Sequence, residues 1–314
     1  MMSKNPPQKK NQSTLTPARF NAGTGTHTPT NSMRNPLDWI ANIPDPPPLK
    51  PITERLLVGA ARDGRTDRDI PFPDTELLPR SQIPKFGDDL RFGVDRTPPS
   101  GRTAGDSAET LIPICRGLLK DYASKDITGG AVNALFDQFL SGRQEVRLFS
   151  HPGLDEATNS HSKLDEWCRR TIRAPNMGIK EKADGFTIHT ALKAADWDIF
   201  SMQAPIDMGT RALNDGIKGF TGDYTNGLTI GINGISLAYI LATAYSYDGY
   251  RRRYNLRLRY VFYDVFGLDD RDEKKYGGLN KGFTAWWELQ HRFGFAPLVT
   301  RWVVDKEYLN LPAV

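Results

Sequence analysis

Between Thr229 and Tyr263 the chain carries two turn dipeptides, Asn233-Gly234 and Asp248-Gly249, each set between apolar and aromatic runs. Asn-Gly and Asp-Gly supply the positive φ that a two-residue hairpin loop needs, so each pair predicts a β-hairpin. Thr229-Ile230-Gly231-Ile232 and Ile235 to Tyr239 flank the first; Tyr245-Ser246-Tyr247 and Tyr250 to Tyr254 flank the second. The strand runs on through Leu256, Leu258, Tyr260 and Phe262, alternating with Arg257, Arg259, Val261 and Tyr263. Period two predicts an antiparallel three-stranded meander. Phe283, Trp286, Trp287 and Gln290 then keep helical spacing up to His291, and Phe295 to Val304 reads as a last strand.

The rest of the chain divides by composition. Of 22 prolines, 16 lie in the first hundred residues, with Pro44-Asp45-Pro46-Pro47-Pro48 as the densest run. Proline lacks the N–H and fixes φ, so residues 1–100 are expected to be a disordered Pro-rich arm. Within it, Ile52, Leu56, Leu57 and Val58 suggest a turn or two of helix, and Phe86 to Gly93 a packed turn that opens the folded part. Residues 101–219 read as helical. Apolar stripes run along Ala108–Tyr122, Val132–Leu140, Ser160–Ile172 and Thr187–Met202, the pattern of helices with one face in a core. Residues 220–314 form the sheet-plus-helix region expected to carry activity. The fold class is α+β: a disordered arm, a helical middle and a C-terminal antiparallel β-meander packed on a helix.

Composition excludes several classes. The net charge is +4, from 41 basic and 37 acidic residues. That balance is too even for the concentrated basic face of a nucleic-acid binder. Cys115 and Cys168 stand far apart with no CxxC, so they are expected as buried thiols and not as zinc ligands. Met1 to Lys10 is polar and has no signal-peptide pattern. Leu228–Ala244 is the most apolar window, but Gly231, Asn233, Gly234 and Ser236 interrupt it, so no transmembrane segment is expected. The chain is expected to be soluble and made in the cytoplasm. Gly23-Thr24-Gly25 has no strand before it, and no serine-hydrolase, zinc-protease or phosphate-loop motif occurs.

The informative stretch is Phe262-Tyr263-Asp264-Val265-Phe266-Gly267-Leu268-Asp269-Asp270-Arg271-Asp272. Alternation puts Asp264 on the face of Leu258, Tyr260 and Phe262, where an acid is costly unless paired, hydrogen-bonded or metal-bound. Asp269, Asp270 and Asp272 follow at a density that suits a hard cation such as Mg²⁺. The plainer reading makes Asp269 or Asp270 a helix cap and leaves the others to solvent. Downstream, His291 and Arg292 close a predicted helix. His291 has the pKa range of a general acid/base and Arg292 the geometry of a phosphate clamp. The plainer reading has both complement the helix dipole. His151 and His161 are a weak metal signal.

The order FYDVFGLDDRD … FTAWWELQHRFGFAPLVT resembles a mostly enterobacterial family classed as a domain of unknown function, whose members resemble cargo of antibacterial competition systems. A weaker likeness is to the colicin M-like bacteriocins, through Phe220-Thr221-Gly222-Asp223-Tyr224 and Tyr263-Asp264. Val261 stands where that family's first acid would fall, and His291-Arg292 lies far downstream of the family's His-Arg position.

The resemblance implies an exported antibacterial toxin acting in the periplasm of a target bacterium. It implies Mg²⁺-assisted cleavage of a pyrophosphate bond in a lipid-linked peptidoglycan precursor. The expected catalytic residues are Tyr263, Asp264, His291 and Arg292, and the expected metal ligands are Asp264, Asp269, Asp270 and Asp272. Expected partners are a cognate immunity protein and a delivery machine or receptor that reads the arm; nucleic acid is not expected. A rival reading makes the chain a non-enzymatic binding or structural module. A third makes it a peptidoglycan glycosidase with Glu288 as one of two carboxylates.

Overall fold

One mixed sheet organises the chain, in the order β2-β6-β5-β4-β1-β3. Its strands are β1 (Lys50–Arg62), β2 (Arg147–Ser150), β3 (Ile206–Asp207), β4 (Leu237–Asp248), β5 (Arg253–Phe266) and β6 (Leu298–Pro312). The computed structural model describes residues 48–63, 75–93, 96–177, 187–208, 224–232 and 234–314, and all of these belong to one unit, Pro46–Val314. Residues 1–47 of the expected arm, with Gly23-Thr24-Gly25, lie outside the described residues, as do Phe220 to Asp223 and Asn233.

Two strands of the expected meander form, as β4 and β5, and the strand expected at Phe295 to Val304 completes an antiparallel β4-β5-β6 meander in place of residues 229–232, from Leu237↔Tyr263 through Asp248↔Arg253 and Asp264↔Thr300. The Asp248-Gly249 hairpin forms with a wider loop. The Asp248 carboxylate accepts from the N–H groups of Tyr250 and Arg251 at 3.0 Å each, and Arg252 takes φ +50°. The hairpin expected at Asn233-Gly234 does not form. Leu228–Gly231 makes a single helical turn, α7. There a Cβ on Gly231 would lie 2.9 Å from Val132, so close packing on the neighbouring helix overrides the strand pattern.

Residues 50–62 correct the N-terminal reading. They form a strand on β4, with Leu56↔Ala242 and Leu57↔Leu241, and not a helical turn. Register shifts between Pro51 and Leu56 and between Leu57 and Gly59 break its period-two pattern. Part of the expected arm therefore belongs to the sheet.

The region expected to be helical holds α1 (Ala108–Arg116), α2 (Leu118–Tyr122), α3 (Ala131–Leu140), α4 (Pro152–Asn159), α5 (Ser162–Ile172) and α6 (Ile188–Ala194), which ends short of the expected Met202, and it also contributes the strands β2 and β3. Ser107 and Thr187 start α1 and α6 with capping boxes to Thr110 and Thr190. Cys115 and Cys168 are free and buried as expected, and burial pushes both thiols above the ordinary range. Between β5 and β6 stand α8 (Asp270–Tyr276) and α9 (Lys281–His291). No helix among the described residues is long and apolar enough to cross a membrane.

Strand alternation in β5 builds two cores. Leu256, Leu258, Tyr260 and Phe262 face the helices and join Trp167, Trp286 and Phe136. Val261, Tyr263 and Val265 face the other way, against Phe86, Leu90 and Val146. Phe86 meets the Tyr263 ring edge-on at 6.4 Å. The turn expected at Phe86 is thus the cover of the second core, made of Ile83–Phe86 and Asp88–Leu90 as two short 3₁₀ turns.

Candidate functional site

The FGLDD motif sits where these layers meet. Phe266 ends β5 with its ring 4.3 Å from Trp286 and 5.1 Å from Phe136. Gly267 follows in close approach to another segment. A Cβ there would overlap the Asp89 carbonyl oxygen and lie 2.9 Å from Pro297 Cβ. Helix α9 is buried from Gly282 to His291, and three of its polar residues, Glu288, Gln290 and His291, hold main-chain groups. Gln290 Nε2 donates to the Asp89 carbonyl at 2.6 Å and to the Arg91 carbonyl at 2.7 Å, and its Oε1 accepts from the Leu268 N–H at 3.0 Å. One amide therefore ties the 89–91 turn to the 267–268 turn.

That tie brings three acids together. One carboxylate oxygen from each of Asp89, Asp269 and Asp272 lies within 4.8 Å of the others, and all three residues are half-buried. Asp269 caps α8: its Oδ1 accepts from the N–H groups of Arg271 at 2.7 Å and Asp272 at 2.9 Å. The capping role foreseen for Asp269 holds, and it fixes that carboxylate in place. Three carboxylates from two short turns form an all-oxygen donor set. Such a set fits a hard cation, Mg²⁺ or Ca²⁺, and not a thiophilic one.

The structure divides the expected metal ligands. Asp269 and Asp272 meet, with Asp89 as their third member; Asp264 and Asp270 are not in the group. Asp264, 7% exposed, accepts from the Gly234 N–H at 3.0 Å and the Ser236 hydroxyl at 3.3 Å. It holds the main chain that leads into β4. Asp270 pairs with Arg96, whose guanidinium stacks 5.5 Å from the Trp287 ring centre.

The expected catalytic residues are not assembled into one site. Tyr263 lies in the second core, on the face of β5 opposite Asp264. His291 is buried against Trp287 at 4.5 Å, and its Nε2–H donates to the Leu268 carbonyl at 2.8 Å. Nδ1 has no hydrogen-bond partner among the described residues, and burial holds the imidazole pKa below its ordinary value. Arg292 Nη1 lies 3.3 Å from both Glu288 Oε1 and the Gly105 carbonyl. Glu288 has no exposed surface and also accepts from the Ala104 N–H at 2.7 Å. His151 and His161 precede α4 and α5 as N-caps, and His151 Nδ1 accepts from the Gly153 N–H at 3.0 Å.

Sequence reasoning missed Asp89 as a member of the acidic group and Glu273 as a buried acid. Glu273 accepts from the Ser100 N–H at 2.9 Å, the Ser100 hydroxyl at 2.6 Å and the Thr284 hydroxyl at 3.1 Å. With Glu288 it pins residues 100–104 across α8 and α9. For Asp89 a signal existed in the Phe86-Gly87-Asp88-Asp89 turn, but nothing local says that this turn lies against Gly267. Set against models of known families, curated proteins and solved structures, the chain matches none.

Proposed function

We propose that this chain is an antibacterial effector acting at the cell envelope, and that its folded unit works through a divalent cation held by Asp89, Asp269 and Asp272. The observation that carries the cation is the convergence of three carboxylates within 4.8 Å, from turns remote in sequence and tied by Gln290. The envelope role is supported by the resemblance of the FGLDD and AWWELQH segments to antibacterial cargo. When bound, Mg²⁺ supplies Lewis acidity suited to phosphoester or pyrophosphate hydrolysis. The chain's own contribution is positional: the α8 cap bonds fix Asp269, and Gln290 fixes the main chain of Asp89. On this reading the protein is exported to the periplasm of a target cell. Its partners are an immunity protein and a delivery machine or receptor that reads the N-terminal residues.

A second reading, a non-enzymatic binding module, has its own supporting observation. Asp264, Glu288, Gln290 and His291 each spend at least one polar atom on a main-chain group. In that case the cation is a clamp on the 89–91 and 267–272 turns.

Growth separates the two. The chain is expressed in a bacterium with and without an added export signal, beside an Asp89→Asn/Asp272→Asn double variant. Lysis only on export, lost in the double variant, is the expected result. Lysis retained by the double variant overturns the cation assignment. No effect in either compartment moves the weight to the binding module.

A further inference from the structure

A second feature lies at the far end of α8 from the acidic group. There a cleft of about 450 Å³ opens, lined by Arg102, Thr103, Gly277, Gly278, Leu279, Lys281 and Thr284. Its two cationic side chains are exposed, and neither forms an ion pair with any described residue. Most other arginines near α8 and α9 are committed: Arg96 to Asp270, and Arg292 to Glu288.

Two acids beside the cleft are already occupied. Glu273, beneath the cleft, is fully buried and takes the Ser100 N–H, the Ser100 hydroxyl and the Thr284 hydroxyl. Asp121, at the edge, accepts from Asn280 Nδ2 at 2.7 Å. Lys274 and Lys275 are exposed close by on α8 and add positive charge, Lys275 with its ammonium 4.6 Å from the Tyr276 ring centre.

The backbone suits a small ligand. Gly277 and Gly278 present no side chain to the cleft, and the Arg102 guanidinium lies where a Cβ on Gly278 would be 3.5 Å from Nη1. An arginine fork and a lysine ammonium lining one concave cleft, beside two glycines, match the bidentate-plus-point-charge recognition of a phosphate-type oxyanion.

We infer that the Arg102–Lys281 cleft binds a phosphate-type oxyanion, with Arg102 and Lys281 as its charged ligands. The inference stands apart from the proposed activity, because it uses no residue of the acidic group.

The full chain, kept in EDTA so that no divalent cation bridges the ligand to the acidic group, is titrated by calorimetry with inorganic phosphate and with pyrophosphate at constant ionic strength. A parallel arm measures co-sedimentation with phosphatidate vesicles, against phosphatidylcholine vesicles as the blank. The two arms separate a free phosphate from a lipid headgroup. The comparison protein is Arg102→Ala/Lys281→Ala, whose exposed positions leave the thermal midpoint unchanged. Saturable binding in at least one arm, weakened at least tenfold in the double variant, is the expected result. No saturable binding in either arm overturns the assignment. Binding that the double variant retains overturns it as well.

Discussion

Gln290, near the end of a helix buried from Gly282 onward, donates its side-chain amide to the main-chain carbonyl of Asp89 at 2.6 Å. Both ends of that amide are used, since Oε1 also holds the Leu268 N–H. Gln290→Leu keeps the volume and removes all three bonds. It leaves the buried Leu268 N–H without its partner and removes the amide from the part-buried Asp89 and Arg91 carbonyls. At about 1–3 kcal/mol for a buried group left unsatisfied, and less for the two part-buried carbonyls, the expected loss is about 2 kcal/mol. Urea unfolding measures it; a loss under about 0.5 kcal/mol contradicts the role assigned to Gln290.

Gly267→Ala tests the same junction from the other side. The added methyl overlaps the Asp89 carbonyl and crowds Pro297. Backbone on one side and a ring on the other cannot yield cheaply, so the cost is about 1–3 kcal/mol. Because the methyl pushes Asp89 from Asp269, cation affinity falls together with stability. A variant that binds cation as the wild type does shows that the junction does not set the acidic geometry.

Asp264→Ala separates a structural acid from a catalytic one. Its carboxylate is the acceptor for Gly234 N–H and the Ser236 hydroxyl, beside the start of β4. Removal costs about 2 kcal/mol, in the range for a buried hydrogen-bonded acid. Asp264→Asn keeps an acceptor oxygen and recovers part of that. Thermal denaturation of both variants reads the difference. Full stability in Asp264→Ala with loss of toxicity reverses the assignment.

The burial of His291 gives a pH dependence with a definite sign. Desolvation lowers its folded pKa from 6.5. Well above the ordinary histidine value the ring is uncharged in both states and costs nothing. As pH falls through the ordinary histidine value, the unfolded chain takes up the proton first, so stability falls until the folded pKa is passed. His161 and His189 are shifted the same way and for the same reason, so the slope is shared. His291→Gln removes one part of it. Stability measured from pH 7.5 to 5 is expected to fall less steeply in the variant; an identical slope contradicts the burial of a neutral ring.

Local periodicity made much of this fold readable. The alternation from Leu256 to Tyr263 placed both faces of β5, and the spacing of Phe283, Trp286 and Gln290 placed α9. It also flagged Asp264 as an acid in need of partners, which Gly234 and Ser236 supply. What it missed depended on contacts distant in sequence. The Ile52–Val58 patch is a strand only because β4 pairs with it across two register shifts. Asn233-Gly234 looked like a hairpin because the packing of Gly231 on Val132 has no local signature. Asp89 joins Asp269 and Asp272 through Gly267 and Gln290, a meeting of segments that no spacing rule encodes.

The central claim is that Asp89, Asp269 and Asp272 hold a divalent cation, and isothermal titration tests it most directly. Mg²⁺ and Ca²⁺ are titrated into the wild type and into Asp89→Asn/Asp272→Asn, with Asp269 left in place so that the α8 cap survives. The account predicts saturable one-to-one binding in the wild type. In the double variant it predicts at least a tenfold loss, with an unchanged cation-free melting temperature. No saturable binding at millimolar cation, or equal binding in both proteins, would contradict it.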